Sequence, residues 1–274
     1  MNETLTTEGG RPVLRMERTL AHPVEKVWRA VTRPAELAHW YPFSVAELDL
    51  QVGGKIRFAN PDGTTADGVV TEADRPRVFA FRQDAPAGMR YEGETEIRIE
   101  LRPEEGGCLL VFTQVFHDRP AAASYASGWQ VCLDALEATL ADRPVRRPED
   151  NFPHLHESYV AAFGLAEGTA ERDGDGWRVR FERQLTRPVE EVWRRLGGPS
   201  ARVGGPAPGP YGTISGVEDL ALLEAEDGRV RWELSQGTGH GARLTVTETG
   251  LADPAPALAA WRDRIEALAR DLLP

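Results

Sequence analysis

A chain of 274 residues is long enough for two domains of ordinary size, each able to bury a core. With 41% hydrophobic and 27% charged residues its composition is globular, and no run approaches the roughly 18 apolar residues of a membrane span. The net charge of −11 speaks against nucleic acid or an anionic membrane as partner, since both want a basic face.

Residues 1–10 are polar and acidic and resemble neither a signal peptide nor a transit peptide. Alternation with Leu14, Met16 and Leu20 in one phase predicts a strand over 13–20. Pro23 opens a helix through Val31, with Val24, Val27, Trp28 and Val31 at helical spacing. A second short helix follows at 34–40 and leads into the aromatic cluster Trp40-Tyr41-Pro42-Phe43. Strands are predicted at 44–51 and 55–59, then a proline–glycine turn at 60–63, then strands at 66–73, 77–83, 93–103 and 108–116. A long helix over 119–140 carries Tyr125, Trp129, Leu133, Leu136 and Leu140 as one apolar stripe, with Asp118 expected to cap it. Proline and mixed charge make 142–153 a linker, an amphipathic helix over 154–163 aligns Leu155, Tyr159 and Phe163, and 166–176 is polar and expected to be flexible. Cys108 and Cys132 lie in apolar stretches and are expected to be buried, reduced thiols, which fits a cytoplasmic location.

The chain then repeats itself. Residues 14–29 and 179–194 are identical at ten of sixteen positions, at an offset of 165. That is too long a period for a solenoid unit, so it marks two copies of a domain. Trp129, Leu136 and Leu140 recur as Trp261, Leu268 and Leu272 at an offset of 132, so the second copy has lost 33 interior residues. It lacks the second helix, the aromatic cluster and one hairpin, has a glycine- and proline-rich loop at 197–210, and keeps a hairpin over 220–234 around Asp227-Gly228.

Strand, two helices, consecutive antiparallel strands and a long closing helix make an α+β helix-grip, a curved antiparallel sheet wrapped around one helix. The sequence resembles the START-like (SRPBCC) superfamily, and within it the AHSA1-like branch named for the activator of Hsp90 ATPase. The resemblance rests on Glu17-Arg18, Pro23-x-x-x-Val27-Trp28, Pro34-x-x-Leu37-x-x-Trp40, Asp49-x-x-Val52-Gly53-Gly54, Gly68-x-Val70-x-Glu72 and Gly128-Trp129 with Leu133 and Leu136. It covers the first copy from end to end and the second at its ends only. The domains are then a complete helix-grip at 12–141, a linker with a short helix at 142–176, and a shortened helix-grip at 177–274. The resemblance implies a cavity between sheet and long helix, used for an apolar small molecule; some relatives act on Hsp90 and some cyclise polyketides.

Candidate ligand-binding residues are Trp40 and Phe43 at the cavity mouth, Phe58, Phe79, Phe81 and Phe112 on the strands, and Trp129 and Leu133 on the long helix. Each, taken singly, also reads as ordinary core. His39 reads as a surface residue, and His154 and His156 at a helix start point apart, so no metal site is assigned. No nucleophile or phosphate-loop motif is present, and no cofactor is expected. Arg18 and Arg183 share the core-facing phase of their strands, where a buried arginine needs a carboxylate or carbonyl partner. The leading expectation is non-catalytic binding of an apolar or aromatic molecule by the first copy, the second acting as a structural or covering partner in an intramolecular pseudo-dimer. A chaperone-linked interaction module and a cyclase-like or aromatase-like enzyme are the alternatives.

Overall fold

The structure, a computed structural model, describes residues 3–59, 65–84, 93–145, 151–239 and 241–274, which form two compact units, Met1–Glu149 and Asp150–Pro274. The turn expected at 60–63 lies outside the described residues. In the first unit, β1 (Thr4–Glu8) and β2 (Arg11–Leu20) precede α1 (Val24–Thr32) and the single turn α2 (Pro34–Leu37). Then come β3 (Ser44–Leu48), β4 (Lys55–Ala59), β5 (Thr65–Asp74), β6 (Val78–Gln83), β7 (Thr95–Glu104) and β8 (Gly107–Val115), and finally α3 (Ala122–Leu140). The eight strands form one antiparallel sheet in the order β1-β2-β8-β7-β6-β5-β4-β3. The strand pattern read from the sequence is present, with β1 added at its edge, in residues that alternate too weakly to announce it.

Period-two burial places Leu14, Met16 and Leu20 of β2 in the core with Leu110 and Phe112 of β8 and Ile97 and Ile99 of β7. Helix α1 buries Val24, Val27, Trp28 and Val31 on one face, each worth roughly 1.5–3 kcal/mol relative to exposure. Lys26 Nζ, on α1, donates to the Leu140 carbonyl at 2.6 Å and so caps the C-terminus of α3 with a cation. Asp118 does not cap α3 through its side chain. It precedes a 3₁₀ turn (Arg119–Ala121), and its main-chain carbonyl accepts the Ala121 N–H at 3.0 Å. The Gly53-Gly54 pair is required by backbone geometry: Gly53 has φ +84°, and a Cβ on Gly54 would collide with the Asp49 carbonyl oxygen.

The second unit contains α4 (Phe152–Phe163), β9 (Thr169–Asp173), β10 (Gly176–Gln184), α5 (Val189–Arg195), β11 (Ile214–Glu218), β12 (Leu222–Ala225), β13 (Val230–Gln236), β14 (Ala242–Leu251) and α6 (Pro254–Asp271). Its sheet runs β11-β12-β13-β14-β10-β9, all antiparallel. Matched strand for strand from the β10 and β2 ends, this is the order of the first sheet without β3 and β4. The expected flexible stretch at 166–176 is instead β9 and the turn into β10, because backbone pairing with Arg172↔Trp177 and neighbours orders a segment whose exposed side chains carry no core signal. The hairpin at Asp227-Gly228 is present, with Glu226, Asp227 and Gly228 all at positive φ.

Two carboxylates hold Arg183, which is 2% exposed on the inner phase of β10. Nη2 meets Glu157 of α4, Nε donates to Glu266 of α6 at 2.8 Å, and Nη1 donates to the Gln184 carbonyl at 2.7 Å. Arg18, its counterpart at an offset of 165, bonds Glu3 at 2.8 Å and Gln130 of α3 at 2.6 Å. Both arginines make structural pairs. Beside Arg183, His156 is buried, with Nδ1 3.1 Å from Glu157, while His154 is exposed, so the two rings do point apart. Burial lowers the His156 pKa below its ordinary 6.5 against the opposing pull of Glu157 and Glu266, with Arg183 adding to the lowering. A depressed folded pKa means the unfolded chain binds the proton more readily, so stability is complete above 6.5 and declines as pH falls below it. Urea midpoints should therefore fall between pH 7.5 and 5.5, where Glu157 stays ionised, and His156→Gln should flatten that slope.

Candidate functional site

A cavity of about 180 Å³ lies in the first unit between the inner faces of β6, β7 and β8, the helix α3 and the segment that follows α2. Three lining groups follow from local structure. The α2 turn continues with the Trp40 and Tyr41 N–H groups donating to the Leu37 carbonyl, which sets Tyr41 and Phe43 at the wall. On the sheet, Gln83 pairs with Thr95, and Ile97 pairs with Gln114, so these four inward side chains are neighbours across three strands. On α3, Ser124, Tyr125, Gly128, Trp129 and Cys132 recur at spacings of three and four along one face.

Trp129 anchors the floor. Its ring lies 4.4 Å from Phe112 and 5.5 Å from Tyr41, centroid to centroid, and its Nε1 donates to Gln114 Oε1 at 2.7 Å. Tyr41 stacks on Phe58 at 5.6 Å, and its buried hydroxyl has no hydrogen-bond partner among the described residues. Burial, with Cys132 nearby, raises the Tyr41 pKa well above 10, so the phenol stays protonated. Gly128, in mid-helix, leaves open space: a Cβ there would meet nothing within 4 Å. Exposed Pro42 and Asp84 mark the outer rim.

Of the eight candidate residues, Phe43 and Trp129 line this cavity. Phe58, Phe79 and Phe81 surround only a 10 Å³ residual void deeper in the unit, too small for a ligand. Phe112 and Leu133 are buried core, Phe112 reaching the site through the Trp129 ring. Trp40 lies away from the mouth: it is 1% exposed, and its Nε1 donates to the Ala30 carbonyl at 2.9 Å, tying the segment after α2 back to α1. His39 is exposed and outside the cavity. Neither cysteine is in a disulfide; Cys108 is buried and Cys132 only half-buried at the cavity wall.

The residues missed include Tyr41, Ile97 and Gly128 and the polar groups of the wall. Gln83 and Gln114 each stand at the end of the inward phase of a strand, after Phe79 and Phe81 on β6 and after Leu110 and Phe112 on β8. An amide in a core phase is the signal that would have found them. Among the described residues no cluster of three or more His, Cys, Asp or Glu side chains is placed to hold a metal.

In the second unit the same indole bond recurs. Trp261 Nε1 donates to Glu248 Oε2 at 2.7 Å, and Glu248 holds the register place of Gln114, pairing with Val179 and Val230 as Gln114 pairs with Leu14 and Ile97. Around Trp261 the rings close on one another. Tyr211 stacks on it at 4.8 Å and 2°, Trp232 meets both edge-on at 5.6 Å, and the Arg264 guanidinium lies 5.1 Å from the Tyr211 ring.

Residues 21–141, from just before α1 to the end of α3, match the family model described as Activator of Hsp90 ATPase homolog 1-like protein. These residues form an AHSA1-like domain. The match leaves β1, β2 and the second unit outside it, so Glu17-Arg18 of the expected motif set is not covered. No curated protein matches the chain. Among solved structures, the chain is similar to protein CV1439 from Chromobacterium violaceum, with 28% identity, coverage of 47% of this chain and 96% of that one, and a TM-score of 0.42. It is also similar to CalU16 from Micromonospora echinospora, at 20% identity, 59% and 94% coverage and a TM-score of 0.47. Protein MLL2253 from Mesorhizobium loti is a third, at 22% identity, 47% and 96% coverage and a TM-score of 0.43. No helix among the described residues is long and apolar enough to cross a membrane.

Proposed function

We propose that the AHSA1-like domain binds a small apolar or aromatic molecule in its cavity without transforming it, in the cytoplasm, and that the second unit is a shortened copy of the same grip with a structural role. The observation that carries this reading is Gly128. Glycine in a helix interior costs about 1 kcal/mol relative to alanine, and here the missing side chain leaves space that no described residue fills within 4 Å of where a Cβ would sit. The rest of the lining is mainly apolar with a few convergent polar groups, the usual make-up of a small-molecule site. The volume sets the ligand's size. An engineered apolar cavity of roughly 150 Å³ in another protein takes benzene, so about 180 Å³ suits a single ring with a short substituent. The Tyr41 phenol, kept protonated by burial, offers a bound molecule a hydrogen-bond donor. The duplication is supported by the shared strand order and the shared indole bond, and the closed stack of Tyr211, Trp232 and Trp261 favours a structural role for the second unit.

Occupancy is readable at Cys132, since Cys108 is fully buried and does not compete for a thiol reagent. Saturating acetophenone or α-methylstyrene should slow labelling of Cys132 in the full chain. Gly128→Leu should fill the space and weaken both probes at least tenfold while the thermal midpoint holds. Labelling that ignores both probes in the natural sequence, or unchanged protection in Gly128→Leu, would sink the reading.

A further inference from the structure

We infer that the cavity selects a ring bearing a carbonyl oxygen, and that the side-chain amide of Gln114 is the specificity-determining donor. The inference rests on the proposed binding role and deepens it. Gln114 is 3% exposed and lines the cavity. An indole N–H can only donate, so the bond from Trp129 Nε1 fixes which end of the amide faces the indole: it must be Oε1. The Nε2 group therefore points away from Trp129, with two donors that no described side chain accepts. Its orientation is locked before any ligand arrives, because Trp129 is itself held against Phe112 at 4.4 Å.

The neighbouring polar groups match the same ligand. Gln83, 8% exposed, lines the cavity two residues beyond Phe81, and no described side chain bonds its amide. Tyr41, whose ring lies 5.5 Å from that of Trp129, also lines the cavity, and its hydroxyl, a donor kept protonated, has no hydrogen-bond partner among the described residues. A purely apolar guest would exclude water from these groups and leave them unpaired, which weakens binding. A carbonyl oxygen on the guest meets Gln114 Nε2 and removes that penalty. The second unit supplies the contrast. Glu248 accepts the Trp261 indole equally well at the same register place, so the indole bond alone does not require an amide. What glutamine adds is a donor, and it stands at the wall of the cavity.

The test compares acetophenone with α-methylstyrene, in which a CH₂ group replaces the carbonyl oxygen on the same frame. Infrared spectra of acetophenone bound to the full chain should show the carbonyl band shifted to lower wavenumber than in hexane. The Kd ratio of ketone to alkene should then rise at least tenfold in Gln114→Glu, which keeps the acceptor for Trp129, and in Gln114→Met, which has no donor. An unshifted band overturns the inference, as does a ratio unchanged in whichever of the two variants folds. If neither probe binds the natural sequence, the binding reading fails first; if both bind and the ratio never moves, only the assignment to Gln114 fails.

Discussion

Replacing Arg183 with leucine should destabilise the protein by about 3 kcal/mol, near the lower end of the roughly 3–5 kcal/mol typical when one partner of a buried ion pair is removed. The guanidinium is 2% exposed and serves two carboxylates at once, Glu157 of α4 and Glu266 of α6. Desolvation works against its charge, yet the hydrogen bonds and fields of those carboxylates outweigh it and raise its pKa. Leucine would leave two negative groups facing each other across a space built for a cation. Their side chains keep 18% and 29% exposure, so water recovers part of the loss, which is why the lower end of the range applies. Changing Arg183, Glu157 and Glu266 together to apolar residues should restore most of the stability, since a buried ionic group replaced whole is often neutral. Arg18→Leu in the first unit should cost less, because Arg18 is 16% exposed and one of its two side-chain partners is the neutral amide of Gln130. Urea unfolding at constant m-value reads all three. A loss below about 1 kcal/mol for Arg183→Leu would mean that the network contributes little.

The arginine phase was legible because a strand has a period of two: Leu14, Met16 and Leu20 fix the inner face, and Arg18 falls on it. Its partners were not, since Glu3 comes from a segment with no periodic signal, and the helical spacing around Glu157 does not say which strand that helix meets. The same limit explains β1 and β9. Edge strands of exposed polar residues are held by backbone pairing, and side-chain pattern says nothing about them. For the second unit, arithmetic on two offsets puts a gap in the interior of a repeated domain, a reading that goes with the proposed duplication; the sheet itself has the strand order β11-β12-β13-β14-β10-β9.

For the candidate site, the aromatic pattern includes Phe43 and Trp129 of the cavity wall but does not separate wall from core. Phe58, Phe79 and Phe81 alternate as pocket walls would, yet they close on one another at 5.3–5.5 Å between centroids and leave no usable space. Whether side chains fill a wedge is a question of volumes in three dimensions, which spacing does not encode. Two other features were in the sequence with a plain physical meaning. Gln83 and Gln114 break apolar phases, and Gly128 interrupts a good helix.

Trp40→Ala should cost about 3–5 kcal/mol, the usual range for truncating a buried aromatic. The side chain is 1% exposed, meets Tyr41 edge-on at 5.6 Å, and donates to the Ala30 carbonyl at 2.9 Å, so truncation opens a hole and orphans an acceptor together. Its place in the aromatic cluster invites a ligand role, but its ring supports the cavity from behind through Tyr41. Trp40→Phe is therefore the sharper variant. It keeps a ring in contact with Tyr41 and loses the indole bond, so the urea midpoint should fall by about 1–2 kcal/mol equivalent. The Kd for acetophenone should stay within about twofold, because no cavity wall has changed. Gly128→Leu should do the reverse, abolishing binding with the midpoint intact. If Trp40→Phe instead weakens acetophenone tenfold or more, the indole meets the ligand, and the cavity extends past Tyr41 towards α1.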